Sequence, residues 1–134
     1  MSDTEWVHKW IDKAERDLLV AKHVFHELHP KQLDISCYHC QQAAEKALKA
    51  YLIYKDYEFP FTHDCGILCV LCAKFDDRFD KYATDCSELT LYATRTRYPE
   101  DEELSDAETE SALRKAEQIL TFVGGLINPP EEDS

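Results

Sequence analysis

The chain has 134 residues and a formal net charge of −12 at pH 7. That length suits one domain, large enough to bury roughly two-thirds of its unfolded surface without disulfide or metal staples. The acidic balance argues against a broad DNA-binding surface, because phosphate-tracking faces are basic and exchange counterions; any nucleotide or RNA must meet a small local basic patch.

The opening MSDTEWVHKW lacks an apolar signal-peptide core, and no stretch approaches the roughly 20 apolar residues of a membrane span. A soluble cytoplasmic protein with no membrane association is expected, and its six cysteines should then be reduced thiols.

In chain order, Thr4 to Leu28 reads as a first helix, with Trp6, Trp10, Ala14, Leu18, Ala21, Val24, Phe25 and Leu28 on its inward stripe. Asp17 projects into that stripe, where an unpaired carboxylate would be costly. Ser36 to Lys55 carries the strongest helical signal: at about 100° per residue, Cys37, Cys40, Ala44, Leu48 and Tyr51 share one face. Ala43, Ala47 and Ala50 form a small-residue flank, expected to meet a second neighbour such as a dimer mate. Gln42, Glu45, Lys46 and Lys49 are left as a solvated sector, with Glu45 and Lys49 as an exposed i, i+4 pair. Gln41 lies in the inward sector, and its amide requires hydrogen-bond partners there.

The loop DYEFPFTHDCG leads to Thr62 or Asp64 as N-cap of a third helix, Cys65 to about Phe75, with apolar positions that include Ile67, Leu68, Val70 and Leu71. From Phe79, the residues Tyr82, Cys86, Leu89, Tyr92 and Ala93 recur at helical spacing, with a break expected near Thr84–Asp85, and Pro99 ends the element. Ser105-Asp106-Ala107-Glu108 fits a capping box that opens a last long helix. Its stripe is Leu113, Ala116, Leu120, Val123 and Ile127, and the Gly124-Gly125 pair with Pro129-Pro130 is expected to end it. No period-2 alternation appears. The prediction is an all-α, antiparallel up-and-down bundle of four or five helices over residues 1–128, with residues 129–134 as a disordered acidic tail.

Cys37-x-x-Cys40 and Cys69-x-x-Cys72 could hold zinc, but 28 residues separate the pairs and both sit within helices. Packing thiols are the simpler reading, and no metal or other cofactor is assigned. His63-Asp64 stands at a helix start, suited to an anion. Arg95, Arg97 and Tyr98, in TRTRYP, make the clearest basic patch, with two guanidinium forks suited to carboxylate or phosphate. One of these arginines is expected within hydrogen-bonding distance of Asp17, closing an interior polar network of Asp17, Gln41 and arginine while the other faces a ligand.

WIDKAERDLLVA, CYHCQQAAEKALKAYL, THD and RYP together resemble the HEPN domain family, whose name refers to nucleotide binding in higher eukaryotes and prokaryotes. The resemblance runs from about Trp6 to Ile127. It implies a helical bundle, usually a homodimer, that often pairs with a minimal nucleotidyltransferase in a two-component, toxin–antitoxin-like arrangement. Many members are metal-independent RNases with an R-x4–6-H motif near the start of the last helix. Here the last histidine is His63, so neither Arg95 nor Arg97 has a downstream partner, and the formal match Arg16-x6-His23 lies in helix one. The expectation is therefore a non-catalytic nucleotide-binding and interaction module that uses Lys49, His63, Asp64, Arg95, Arg97 and Tyr98. A divergent RNase using Arg97, or Arg16 and His23, is the alternative.

Overall fold

The computed structural model describes residues 3–95 and 98–127. Among them every regular element is helical: α1 (Asp3–Glu27), α2 (Leu33–Tyr54), α3 (Cys65–Ala73), a 3₁₀ segment (Asp77–Tyr82), α4 (Ala83–Arg95) and α5 (Asp106–Ile127). No strand occurs among the described residues.

Helix α2 is the axis of the bundle and touches each of the other four helices. Its sequence explains this, since Cys37, Cys40, Ala43, Ala44, Ala47, Leu48, Ala50 and Leu52 all lie fully buried. Side-chain pairings fix the directions. Ser36 Oγ donates to the Ala21 carbonyl at 2.8 Å and Lys46 pairs with Asp17, so α1 runs antiparallel to α2. Cys65 and Cys72 donate to the carbonyls of Gln41 and Leu48, so α3 runs parallel to it. The Arg95–Glu108 and Lys115–Glu88 ion pairs set α4 antiparallel to α5.

The alanine flank meets its second neighbour within the chain. His39 and Lys46 contact Asp17 on α1, and Ala43 and Ala50 share their angular sector, so small side chains let α1 approach closely. That flank is buried and offers no surface to a dimer mate.

The inward face of α1 is rotated from its expected position. Val7 and Ile11 enter the core, continuing to Ala14, Leu18, Ala21 and Phe25, whereas Trp6 is 47% exposed and Leu28 lies outside. Trp10 instead covers the loop after α2, packing edge-on to Phe59 at 6.1 Å. In α3 the buried residues are Cys65, Leu68, Cys69 and Cys72, leaving Ile67 and Val70 exposed. Glycine matters at position 66, where a Cβ would meet Ser87 Oγ at 2.6 Å; its absence lets the start of α3 press against α4.

The expected break near Thr84–Asp85 falls earlier, as the change from 3₁₀ to α geometry at Tyr82–Ala83. Phe79 anchors the 3₁₀ segment against Tyr51 and Phe122, at ring-centroid distances of 4.7 and 4.9 Å. Helix α5 passes through Gly124-Gly125 to Ile127, because glycine raises helix cost by only about 1 kcal/mol per residue and the buried Val123 and Ile127 offset it. The expected tail lies outside the described residues.

The capping box forms reciprocally: Glu108 N donates to Ser105 Oγ at 3.1 Å, and Ser105 N to Glu108 Oε1 at 3.1 Å. Ser105→Ala should lower stability by about 1 kcal/mol in chemical denaturation, with an unchanged denaturant slope. A loss under a few tenths would show that the cap contributes nothing.

Candidate functional site

The side chain that sequence reasoning placed in solvent organises the site. Glu45 is only 3% exposed, and Lys49 6%. Gln41, Glu45 and Lys49 form one i, i+4 ridge of α2 that the loop from Tyr57 to Asp64 covers. Both carboxylate oxygens are engaged: Oε1 accepts from Gln41 Nε2 at 2.7 Å, and Oε2 accepts from Lys49 Nζ at 3.0 Å and His63 Nδ1 at 2.9 Å. The Lys49 ammonium also lies 5.3 Å from the Phe59 ring centroid and 5.9 Å from that of Trp10. Burial pushes the Glu45 carboxyl up, but the hydrogen bonds from His63, Lys49 and Gln41 outweigh it and hold the group below its ordinary value.

An ionised carboxylate can only accept, so His63 donates through Nδ1 and its Nε2 faces away from Glu45. Gln41 Nε2 also donates to the His63 carbonyl at 3.0 Å, fixing the backbone beneath the ring. The imidazole itself is 67% exposed. It is thus an accessible ring held from behind by a buried carboxylate and an amide.

Next to it, Asp64 caps α3, its Oδ1 accepting from Gly66 N at 2.8 Å and Ile67 N at 3.3 Å. Thr90 Oγ1 accepts from Cys65 N at 3.0 Å, tying the same turn to α4. Tyr38, Gln41, Gln42, His63, Asp64, Thr90, Ala93 and Thr94 together line a groove of about 380 Å³, within the roughly 300–1,000 Å³ of small-ligand sites.

A second carboxylate–imidazole pair stands on the other flank of α2. Asp17 accepts from His39 Nδ1 at 2.9 Å and from the Lys46 ammonium. The His39 ring meets Tyr38 edge-on at 5.2 Å, so Asp17 holds His39 and His39 braces Tyr38. Among the described residues the expected Asp17–Gln41–arginine network does not form through Arg95: Asp17 binds His39 and Lys46, and Gln41 binds Glu45 and His63; its Arg97 form falls outside the described residues. Arg95 turns away because Glu108 takes its fork at 2.8 and 2.9 Å, with the Glu103 carbonyl as a further acceptor.

The residues proposed from sequence as ligand-binding are therefore dispersed. His63 and Asp64 share the groove with Gln41. Lys49 lies buried beneath it, and Arg95 is paired with Glu108. Tyr98 lines a separate cavity with Lys31, Asp34, Asp101, Glu102 and Glu103, where carboxylates outnumber the single ammonium. Arg97 lies outside the described residues. Arg16 and His23 are both exposed on α1.

Sequence reasoning misses Glu45, Tyr38, His39 and Lys46 as site residues. A signal for Glu45 exists: Gln41, read as inward and in need of a partner, has Glu45 one helical turn on. The paired cysteines have separate partners, Cys37 donating to Thr109, Cys69 to the Phe79 carbonyl and Cys72 to the Leu48 carbonyl. Within the two pairs, burial raises the thiols of Cys37, Cys40 and Cys72, away from the thiolate that metal ligation needs, while a hydrogen bond with Cys86 lowers Cys69. Among the described residues no three His, Cys, Asp or Glu side chains are grouped to hold a metal. Nor is any described helix long and apolar enough to cross a membrane.

Among solved structures, TT1696 from Thermus thermophilus superposes with a TM-score of 0.75 at 25% identity, over 87% of this chain and 94% of its own. ST0689, an archaeal HEPN homologue, gives a TM-score of 0.67 at 24% identity, over 91% of this chain and 98% of its own, a likeness of fold. No curated protein matched. The HEPN domain profile matches residues 7–126, almost the full length of the bundle. The chain belongs to the HEPN domain family.

Proposed function

We propose that this HEPN protein is a non-catalytic module that binds a nucleotide in the groove between α2, the start of α3 and α4. The observation that carries the reading is the exposed His63 imidazole, held through Nδ1 by the buried Glu45 with Nε2 left for a ligand. Such a ring is preorganised, so binding orders few side chains and retains more of its interaction energy. Tyr38, Gln42 and the α4 threonines add stacking and hydrogen-bonding groups to the same groove.

Family membership supports two further parts of the proposal: a homodimer, and a minimal nucleotidyltransferase as partner in a two-component system. The acidic surface favours a protein or small-ligand role over tracking a nucleic-acid backbone.

Calorimetric titration of the purified protein with each of the four ribonucleoside triphosphates tests the site. At least one should bind, and His63→Ala should weaken it tenfold or more while the chain stays folded, because Lys49 and Gln41 still hold the Glu45 carboxylate. Equal binding by His63→Ala would remove the site from the groove. Cleavage of RNA by the purified protein would overturn the non-catalytic assignment.

A further inference from the structure

Resting on the nucleotide reading of this groove, we infer that the groove holds the nucleobase and leaves the phosphates in solvent. The basic side chains described on α2 and at the end of α4 are engaged elsewhere. Lys49 is enclosed by Glu45, Trp10 and Phe59. Lys46 is paired with Asp17, and Arg95 presents its fork to Glu108. Among the described residues lining the groove no lysine or arginine occurs, and Asp64 contributes a carboxylate. Among the described side chains that line the groove, a polyphosphate would meet the Asp64 carboxylate with the His63 ring as the one basic group to offset it.

The groups that are present suit a planar, uncharged ring. Tyr38 and His63 are both accessible aromatic rings, and both are braced: Tyr38 against His39, which Asp17 holds, and His63 against Glu45. Aromatic faces stack with any base at low ordering cost, because few torsions are left to fix. The Gln42 amide donates to Gln41 Oε1 at 3.0 Å through one of its N–H groups, leaving its carbonyl and second N–H for a base edge. Thr94 Oγ1 donates to the Thr90 and Leu91 carbonyls and keeps its acceptor capacity. These amide and hydroxyl groups match the donors and acceptors of a Watson–Crick edge.

Nucleosides should therefore bind nearly as tightly as their triphosphates. The test is calorimetric titration of the full chain, at physiological salt, with the four ribonucleosides and the four corresponding triphosphates. For the base that binds, the two dissociation constants are expected within fivefold. Tyr38→Ala should weaken both tenfold or more, and Tyr38→Phe, which keeps the ring, should restore both to within threefold of the wild type. A triphosphate that binds more than fivefold tighter than its nucleoside overturns base-first recognition while leaving nucleotide binding in place. Failure of all eight compounds to bind overturns the nucleotide reading itself. Tyr38 is half exposed, so its variants should fold, which circular dichroism and the melting temperature check.

Discussion

Replacing Glu45 with alanine should cost about 3–5 kcal/mol of folding stability, because it strands the Lys49 ammonium in an apolar setting between Trp10 and Phe59. It also leaves Gln41 and His63 without their shared acceptor. A joint replacement, Glu45→Leu with Lys49→Met, should recover most of that loss, since a buried ion pair adds little over packed apolar side chains of similar volume. Denaturant midpoints at constant slope measure both. A loss below about 1 kcal/mol for Glu45→Ala would mean that the pair behaves as an exposed helix pair.

The same carboxylate predicts an acid limb. Its value in the fold lies below the ordinary 4.5, so its contribution is complete above that unfolded value and is lost as pH falls below it towards the folded one. Wild-type stability should fall with acid more steeply below about pH 4.5 than that of the Glu45→Leu, Lys49→Met variant.

Phe79→Ala should cost about 3–5 kcal/mol. The ring is fully buried and touches Tyr51 of α2 and Phe122 of α5, joining a six-residue 3₁₀ segment to two long helices. Short 3₁₀ turns have weak hydrogen-bond geometry and little stability of their own. Amide exchange should therefore quicken first between Asp77 and the start of α4. Uniform protection across that segment, with a stability loss below about 1 kcal/mol, would assign the anchoring to other side chains.

The order and lengths of the long helices are legible in the sequence because their apolar residues recur at 3.6-residue spacing and Ser105–Glu108 announces the last of them. What the period does not fix is rotation: on α1, Trp6 and Val7 are both apolar neighbours, and only the fit against α2 selects Val7. The same limit applies to α3, where Ile67 and Val70 are apolar yet exposed because the small cysteines permit the closer approach to α2 and α4.

The site is partly legible. His63-Asp64 at a helix start is readable from its residues, and Gln41 is recognisable as inward and in need of partners. Glu45 and Lys49 fall to solvent in a sequence reading because helix geometry alone leaves them outside; what buries them is the irregular loop bearing Phe59, whose path no periodicity encodes. Charge alone draws Arg95 to Asp17, whereas the capping box positions Glu108 within its reach.

Binding of a nucleotide beside the Glu45-held His63 is tested most directly by NMR, with amide and imidazole chemical shifts followed while the full chain is titrated with the bound nucleotide. The largest shifts are expected to cluster at Tyr38, Gln42, His63, Asp64, Thr90 and Thr94 and to saturate together. Saturable shifts centred on the acidic cavity around Tyr98 and Glu103, or the absence of saturable shifts, would contradict it.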